Sequence, residues 1–275
     1  MKLFLTVILI FIKILLFSQE IKISIDPIKI SLSNSNDFSP SIYKDGILFL
    51  SDRKSKYPFY DLYYYDNKKL VKIKSDPSWN VGQAFYDKKN DELYVVKNNT
   101  RKHYENSVIM KNNLAVFKAR LIKNKLKIGK KLSFCKPKFS YSYPSIFDDK
   151  MIILTNDFSE TKESLYQLVE MKKVNGKWVK NKIIISEATP MVGAFYLNKN
   201  NIIFSSKRKG GKGGLDLYII TKNNKEQWSN PINLDIFNSE FDDFDLIFTE
   251  KNKGYFSSNR IDNKDHIFKF AIEKK

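Results

Sequence analysis

Five times along this chain a short apolar strand is followed by a tight turn and a second strand ending in a small or polar residue, and that recurrence limits the possible folds more than any other feature. The second-strand anchors Leu48, Leu93, Ile152, Ile202 and Tyr255 are 45, 59, 50 and 53 residues apart. The clearest copy is Ile202–Ile220, in which Ile202–Ser206 and Leu215–Ile220 are joined by a loop containing Gly210, Gly211, Gly213 and Gly214. β-branched and aromatic residues in runs of five or six, bounded by glycine, asparagine and aspartate, read as strands and hairpins. A period near 50 with four short strands per unit is the pattern of propeller blades. The expected fold is therefore all-β: a β-propeller of four-stranded blades, five in number, with six as the alternative if the long 59-residue interval hides strands around Leu121 to Phe134. The fifth unit runs out after three strands, and a spare strand at Pro27–Leu32 lies upstream of the first unit. Pairing 27–32 with 266–271 would close the ring and remove an exposed edge.

The amino terminus follows a different rule. Leu3 to Phe17 is almost continuously apolar, preceded by Lys2 and followed by Ser18 and Gln19. A basic start, an apolar run of this length and a small-residue exit form a signal-peptide pattern. Lys13 and a length below the roughly 20 residues of a spanning helix weigh against the rival reading, a membrane anchor. The expected organisation is a signal peptide over 1–18 and a single propeller domain over 19–275. Cys135 is the only cysteine, so an exported chain has no internal disulfide and depends on packing for its stability. The chain has 48 Lys and Arg against 30 Asp and Glu, a formal +18. Such a surplus suits association with an anionic polymer, but the lysines are spread along the sequence without a concentrated stripe, which suits solvated strand faces better.

Ser39-Pro40-Ser41-Ile42, Asp45-Gly46-Ile47-Leu48-Phe49, Ser51-Asp52-Arg53 and Asp61-Leu62-Tyr63 together resemble the PD40 repeat, the WD40-like repeat of TolB-type propellers. Trp228 to Leu234, Asp242-Asp243-Phe244 and Gly254 to Arg260 strengthen that resemblance, which covers about residues 38–270. It is similar to the propeller part of periplasmic PD40 proteins of Bacteroidota. In those proteins an OmpA-like peptidoglycan-binding domain often follows, and none is expected here. The resemblance implies an exported chain in the periplasm, at the outer membrane or secreted, with a protein partner in the cell envelope.

Arg53 and Asp61, Arg208 and Asp216, and Arg260 and Asp265 recur at the end of the second strand and the start of the third. They are expected to be blade-to-blade copies of one Arg–carboxylate pair bracing the loop. Lys207 to Gly214 resembles a phosphate cradle only superficially, because a strand follows it where such loops require a helix. Asp242, Asp243 and Asp245 offer carboxylates, with strand alternation sending Asp243 and Asp245 to one face. They lack the spacing of a calcium loop, so a hydrogen-bonding role at the start of an inner strand is expected. His103 and His266 sit in no catalytic motif, and no nucleophile elbow, zinc motif or sialidase-type Asp box occurs. The expectation is a non-catalytic, monomeric, protein-binding scaffold with no cofactor, metal or nucleic acid. The alternative is a glycan-binding or carbohydrate-active propeller with a central carboxylate pocket.

Overall fold

A computed structural model describes residues 21–31, 34–53, 60–77, 79–98, 113–158 and 166–274. The expected cleavage site near Ser18, His103 and most of the loop around residues 98–105 lie outside the described residues.

The chain is all-β, with five four-stranded antiparallel blades arranged as a β-propeller. Strand β1 is Ile21–Pro27. Blade one takes β2 (Asp37–Tyr43), β3 (Gly46–Ser51), β4 (Asp61–Tyr65) and β5 (Leu70–Lys72); blade two takes β6 (Val81–Asp87), β7 (Glu92–Asn98), β8 (Leu114–Ile122) and β9 (Lys125–Lys131). Blade three holds β10 (Tyr141–Phe147), β11 (Lys150–Thr155), β12 (Tyr166–Val174) and β13 (Lys177–Glu187). Blade four holds β14 (Met191–Asn198), β15 (Asn201–Ser206), β16 (Asp216–Thr221) and β17 (Ile232–Asn233), and blade five β18 (Asp243–Glu250), β19 (Lys253–Ser258) and β20 (His266–Lys274). The long interval between units two and three is filled by the extended β8–β9 hairpin, so blade two needs no sixth companion.

Blade five is completed by β1, which pairs antiparallel with β20 from Ile21↔Lys274 to Pro27↔Phe268. Closure by an amino-terminal strand is as expected, but the strand lies earlier in the chain. Residues 28–31, expected to be part of it, instead form a 3-10 turn over Lys29–Ser31. That turn is still fastened to β20. The Ile28 amide donates to the Ile267 carbonyl at 2.9 Å, the Ile267 amide donates to Ser31 Oγ at 2.8 Å, and His266 Nδ1 meets the Ser31 carbonyl. His266 is thus a closure residue, with Nε2 on Asp262 at 2.7 Å.

Successive blades bury their apolar faces against each other. Ile152, Leu154 and Leu168 of blade three pack with Met191, Ile202 and Phe204 of blade four. Leu217 of blade four packs with Leu246, Phe256 and Phe268 of blade five. Ile267 and Ile28 pack with Ile47 and Phe49 of blade one. The first strands β2, β6, β10, β14 and β18 neighbour one another around the axis. They all run from what we call the upper face to the lower face, so the first-to-second and third-to-fourth strand turns lie on the lower face.

Candidate functional site

The third residue of each first strand lies at the axis: Ser39, Gln83, Tyr143, Gly193 and Asp245. Each first strand carries a register break beginning one or two residues into it. A β-bulge adds a residue, bends the strand and re-aims a side chain. At four of the five positions φ is positive: 55° at Ser39, 51° at Tyr143, 64° at Gly193 and 55° at Asp245. Non-glycine residues rarely adopt such backbone, and it clusters at functional sites.

These residues form the floor of a central cavity of about 420 Å³ that opens on the lower face. Its walls are the lower halves of the first strands, with Ile42, Phe85, Tyr86, Phe147, Phe195 and Tyr196 contributing apolar surface. Asp245 is 4% exposed and accepts a hydrogen bond from the Ser39 hydroxyl through Oδ2. Its Oδ1 has no partner, and neither does Gln83 Oε1. A Cβ at Gly193 would lie 2.5 Å from Asp245 Oδ1, so glycine is what lets the carboxyl reach the axis. Desolvation pushes the Asp245 carboxyl up to about 7; the Ser39 hydrogen bond opposes this, and the neighbouring charge of Asp265 adds to it. Burial also raises the Tyr143 phenol well above its ordinary value, and Asp245 adds to that shift. The cavity floor is therefore polar, and burial favours the uncharged form of both Asp245 and Tyr143.

Asp87 and Asp148 line the cavity mouth and Glu170 lies behind its wall, each engaged by a neighbouring group. Asp87 accepts from the Lys89 amide at 3.1 Å and the Asn90 side chain at 2.7 Å, and Asp148 pairs with Lys89 at 3.0 Å. Glu170 lies fully buried behind Tyr196, held by the Tyr196 hydroxyl at 3.1 Å and Asn181 at 2.6 Å. Among the described residues no cluster of three metal-ligating side chains occurs.

The three expected Arg–Asp pairs do not form. Arg53 pairs with Asp37, Arg260 with Asp243 at 2.5 Å, and Arg208 with Glu187. The reason is local. In blades one and five Nε of the arginine donates back to the serine two residues before it, Ser51 at 2.9 Å and Ser258 at 3.1 Å. Each of those serines is the register partner of the first-strand aspartate, Asp37↔Ser51 and Asp243↔Ser258. The guanidinium is thereby turned toward the first strand instead of the third. It also covers a stacked aromatic pair, lying 5.6 and 5.4 Å from Phe49 and Tyr63, 5.2 and 4.9 Å from Phe204 and Tyr218, and 5.0 and 5.3 Å from Phe256 and Phe268.

The expected partners have other roles. Asp61 pairs with Lys72 at 2.5 Å. Asp265 fastens the ring, its carbonyl accepting from the Asp37 amide at 2.6 Å, and burial lifts its carboxyl to about 6. Asp216 accepts the Lys212 and Gly213 amides, both at 3.1 Å. The glycine-rich loop does cradle an anion, and the anion is the chain's own. Only Gly210 in this loop has positive φ (89°); Gly211 and Gly213 are required for close approach, to Asp216 and to the Phe241 carbonyl respectively. Asp243 and Asp245 do not share a face, because the bulge between Phe244 and Ile247 breaks the alternation.

No family model matches the chain, and no curated protein matches it. Solved structures do. A thermostable family-43 glycoside hydrolase superposes with TM-score 0.56 at 8% identity, covering 87% of this chain and 89% of that one. A GH43_12 protein retrieved from a capybara gut metagenome gives 0.55 at 15%, covering 90% of this chain, which spans about half (53%) of that protein. A TolB-type propeller from Agrobacterium tumefaciens gives 0.52 at 12%, covering 94% and 89%. Such identities carry the fold alone. They nevertheless correct the expectation that the chain is not an enzyme: several of the structures that share its fold are glycoside hydrolases, so this architecture gives no ground for excluding catalysis.

Proposed function

We propose that the chain is a carbohydrate-binding propeller that takes a saccharide into its central cavity, with Asp245 as the principal polar contact. The observation that carries this reading is the pair of unpartnered acceptors, Asp245 Oδ1 and Gln83 Oε1, at the bottom of an aromatic-walled cavity. A buried acceptor without a partner costs about 1–3 kcal/mol, and ligand hydroxyls arriving at the floor would relieve both. A neutral Asp245 carboxyl also donates, and a carboxylic acid with a raised pKa is the group that protonates a leaving oxygen in glycoside hydrolysis. Apolar walls with a few convergent polar groups are the usual composition of small-molecule sites. The similarity to glycoside hydrolase propellers supports the same choice.

The test is a glycan array followed by calorimetric titration of the best sugar, with kestose, the ligand of an inulosucrase propeller sharing this fold at TM-score 0.51, as a defined probe. Binding that falls at least tenfold in Asp245→Ala supports the reading, and a silent array overturns it. Reducing-sugar release from bound oligosaccharide reads catalysis in the same samples.

A second reading is an exported PD40-type propeller that holds a protein partner in the cell envelope. It draws on the sequence resemblance and on the match to the TolB-type propeller over nearly the full length of both chains. Crosslinking in cells followed by partner identification supports it if one envelope protein recurs, and rejects it if none does.

A further inference from the structure

The third strands all run toward the lower face, so the turns that follow them project from that face in every blade. In blades one, two and three these tips share one composition. Leu70 (37% exposed), Ile122 (55%) and Val174 (42%) stand out from them. Each is flanked by exposed lysines: Lys68 and Lys69, Lys123 and Lys125, Lys172 and Lys173. The turns are tight and raised, with positive φ at Asn67, Lys123 and Asn175. The one acid on these three tips, Asp66, is engaged by the Lys68 and Lys69 amides at 3.1 and 3.0 Å.

Blade two is the extreme case. Between residues 118 and 131 it carries seven Lys or Arg and no acid, and of these Lys118 is paired with Glu92 of the neighbouring strand. Exposed Arg120 lies directly opposite exposed Lys127 across the β8–β9 ladder, an arrangement that repels itself unless something anionic is present. Lys74 bridges to Lys125 and continues the basic surface onto blade one. The fold thus brings the tip lysines of three separate blades to one side of the lower face, whose exposed acids Asp45, Asp91, Asp148 and Asp149 lie on the first-to-second strand turns nearer the axis. Blade four differs: its tip holds the Lys222–Glu226 ion pair and polar Asn223 and Gln227. In blade five this position is taken by the ends of β1 and β20. The chain thus enters the propeller at Ile21 on the lower face, directly after the apolar run of residues 3–17.

We propose that the lower face of blades one to three docks on an anionic lipid surface, with the lysines at the headgroups and Leu70, Ile122 and Val174 dipping into the acyl boundary. Basic side chains interleaved with exposed aliphatic ones are the composition that binds at a lipid interface. A soluble polyanion would recognise the lysines but leave the aliphatic tips without a role. This stands apart from the saccharide reading, since the tips lie at the outer rim and the cavity on the axis.

The experiment is co-flotation of the full chain with vesicles of phosphatidylcholine alone and vesicles in which about a third of the lipid is phosphatidylglycerol. The apolar leader contributes to both, so the ratio of the two is read. The expected ratio is at least tenfold for the wild type. It falls about tenfold in the Lys123→Glu/Lys125→Glu double variant, and the amount bound to the anionic vesicles falls several-fold in the uncharged variant Ile122→Ser. The ratio is retained in Lys207→Glu/Lys209→Glu, the same charge change on the upper face. Melting temperatures separate loss of docking from loss of fold. Equal binding to both vesicle types overturns the proposal, as does an upper-face variant that loses as much as the lower-face one. An unchanged Ile122→Ser alongside a charge reversal that abolishes binding also overturns it, in favour of a soluble polyanion.

Discussion

A carboxyl group held at the axis of a closed ring has little water to stabilise its charge, and Asp245 is in that position. Its folded value of about 7 lies above the ordinary 3.8 because burial dominates. A raised folded value means the native state holds the proton more tightly than the unfolded chain. The contribution is therefore fully present below about pH 4 and is lost as pH rises through about 7. Asp245→Asn removes this dependence while keeping a side chain that tolerates positive φ. Relative to wild type it should be more stable at pH 8, by roughly 2–4 kcal/mol, and gain nothing at pH 4. Thermal melts of both proteins from pH 4 to 8 check this; parallel curves contradict it. The arginines make the opposite case. Asp243 is fully buried and Arg260 supplies its countercharge, so Arg260→Ala leaves a buried acid alone and should cost about 3–5 kcal/mol. Asp265→Ala should cost far less because its carboxyl makes no pair with Arg260, and urea titration of the two variants distinguishes them.

At the scale of elements, ring closure rests on β1. It provides the outer strand of blade five and covers the edge of β20, and an uncovered edge is a template for aggregation. A chain beginning at residue 28 should melt well below the wild type and self-associate, as read by calorimetry and size-exclusion chromatography; an unchanged monomer contradicts the role given to β1. The strands themselves were legible in the sequence because each hairpin is local: apolar alternation and turn residues mark Gly46–Ser51 and Asp216–Thr221 without help from elsewhere. The start of β1 was not, since Ile21–Pro27 lacks a hairpin partner in sequence and pairs with residues some 250 positions away. The arginine pairs were misread for a related reason. Spacing along a hairpin places Arg53 near Asp61, but the bond from Arg53 to Ser51 and the Asp37↔Ser51 register decide its direction.

The site belongs to the whole molecule. Ser39, Gln83, Tyr143, Gly193 and Asp245 share no residue type and sit 44, 60, 50 and 52 positions apart. Only closure of five blades brings them together, and the bulges that turn them inward break the alternation from which a face could be read. The gathering of lysines on the lower face was hidden in the same way, because it depends on three separate blades pointing their outer turns in one direction. The most direct measurement of the central account is titration of the full chain with the saccharide selected on the array, in wild type, Asp245→Asn and Asp245→Ala, at pH 5.5 and 8.5. If the neutral carboxyl is the contact, wild-type affinity is higher at pH 5.5, Asp245→Asn binds with little pH dependence, and Asp245→Ala binds at least tenfold more weakly. Equal affinities for all three proteins at both pH values would contradict it.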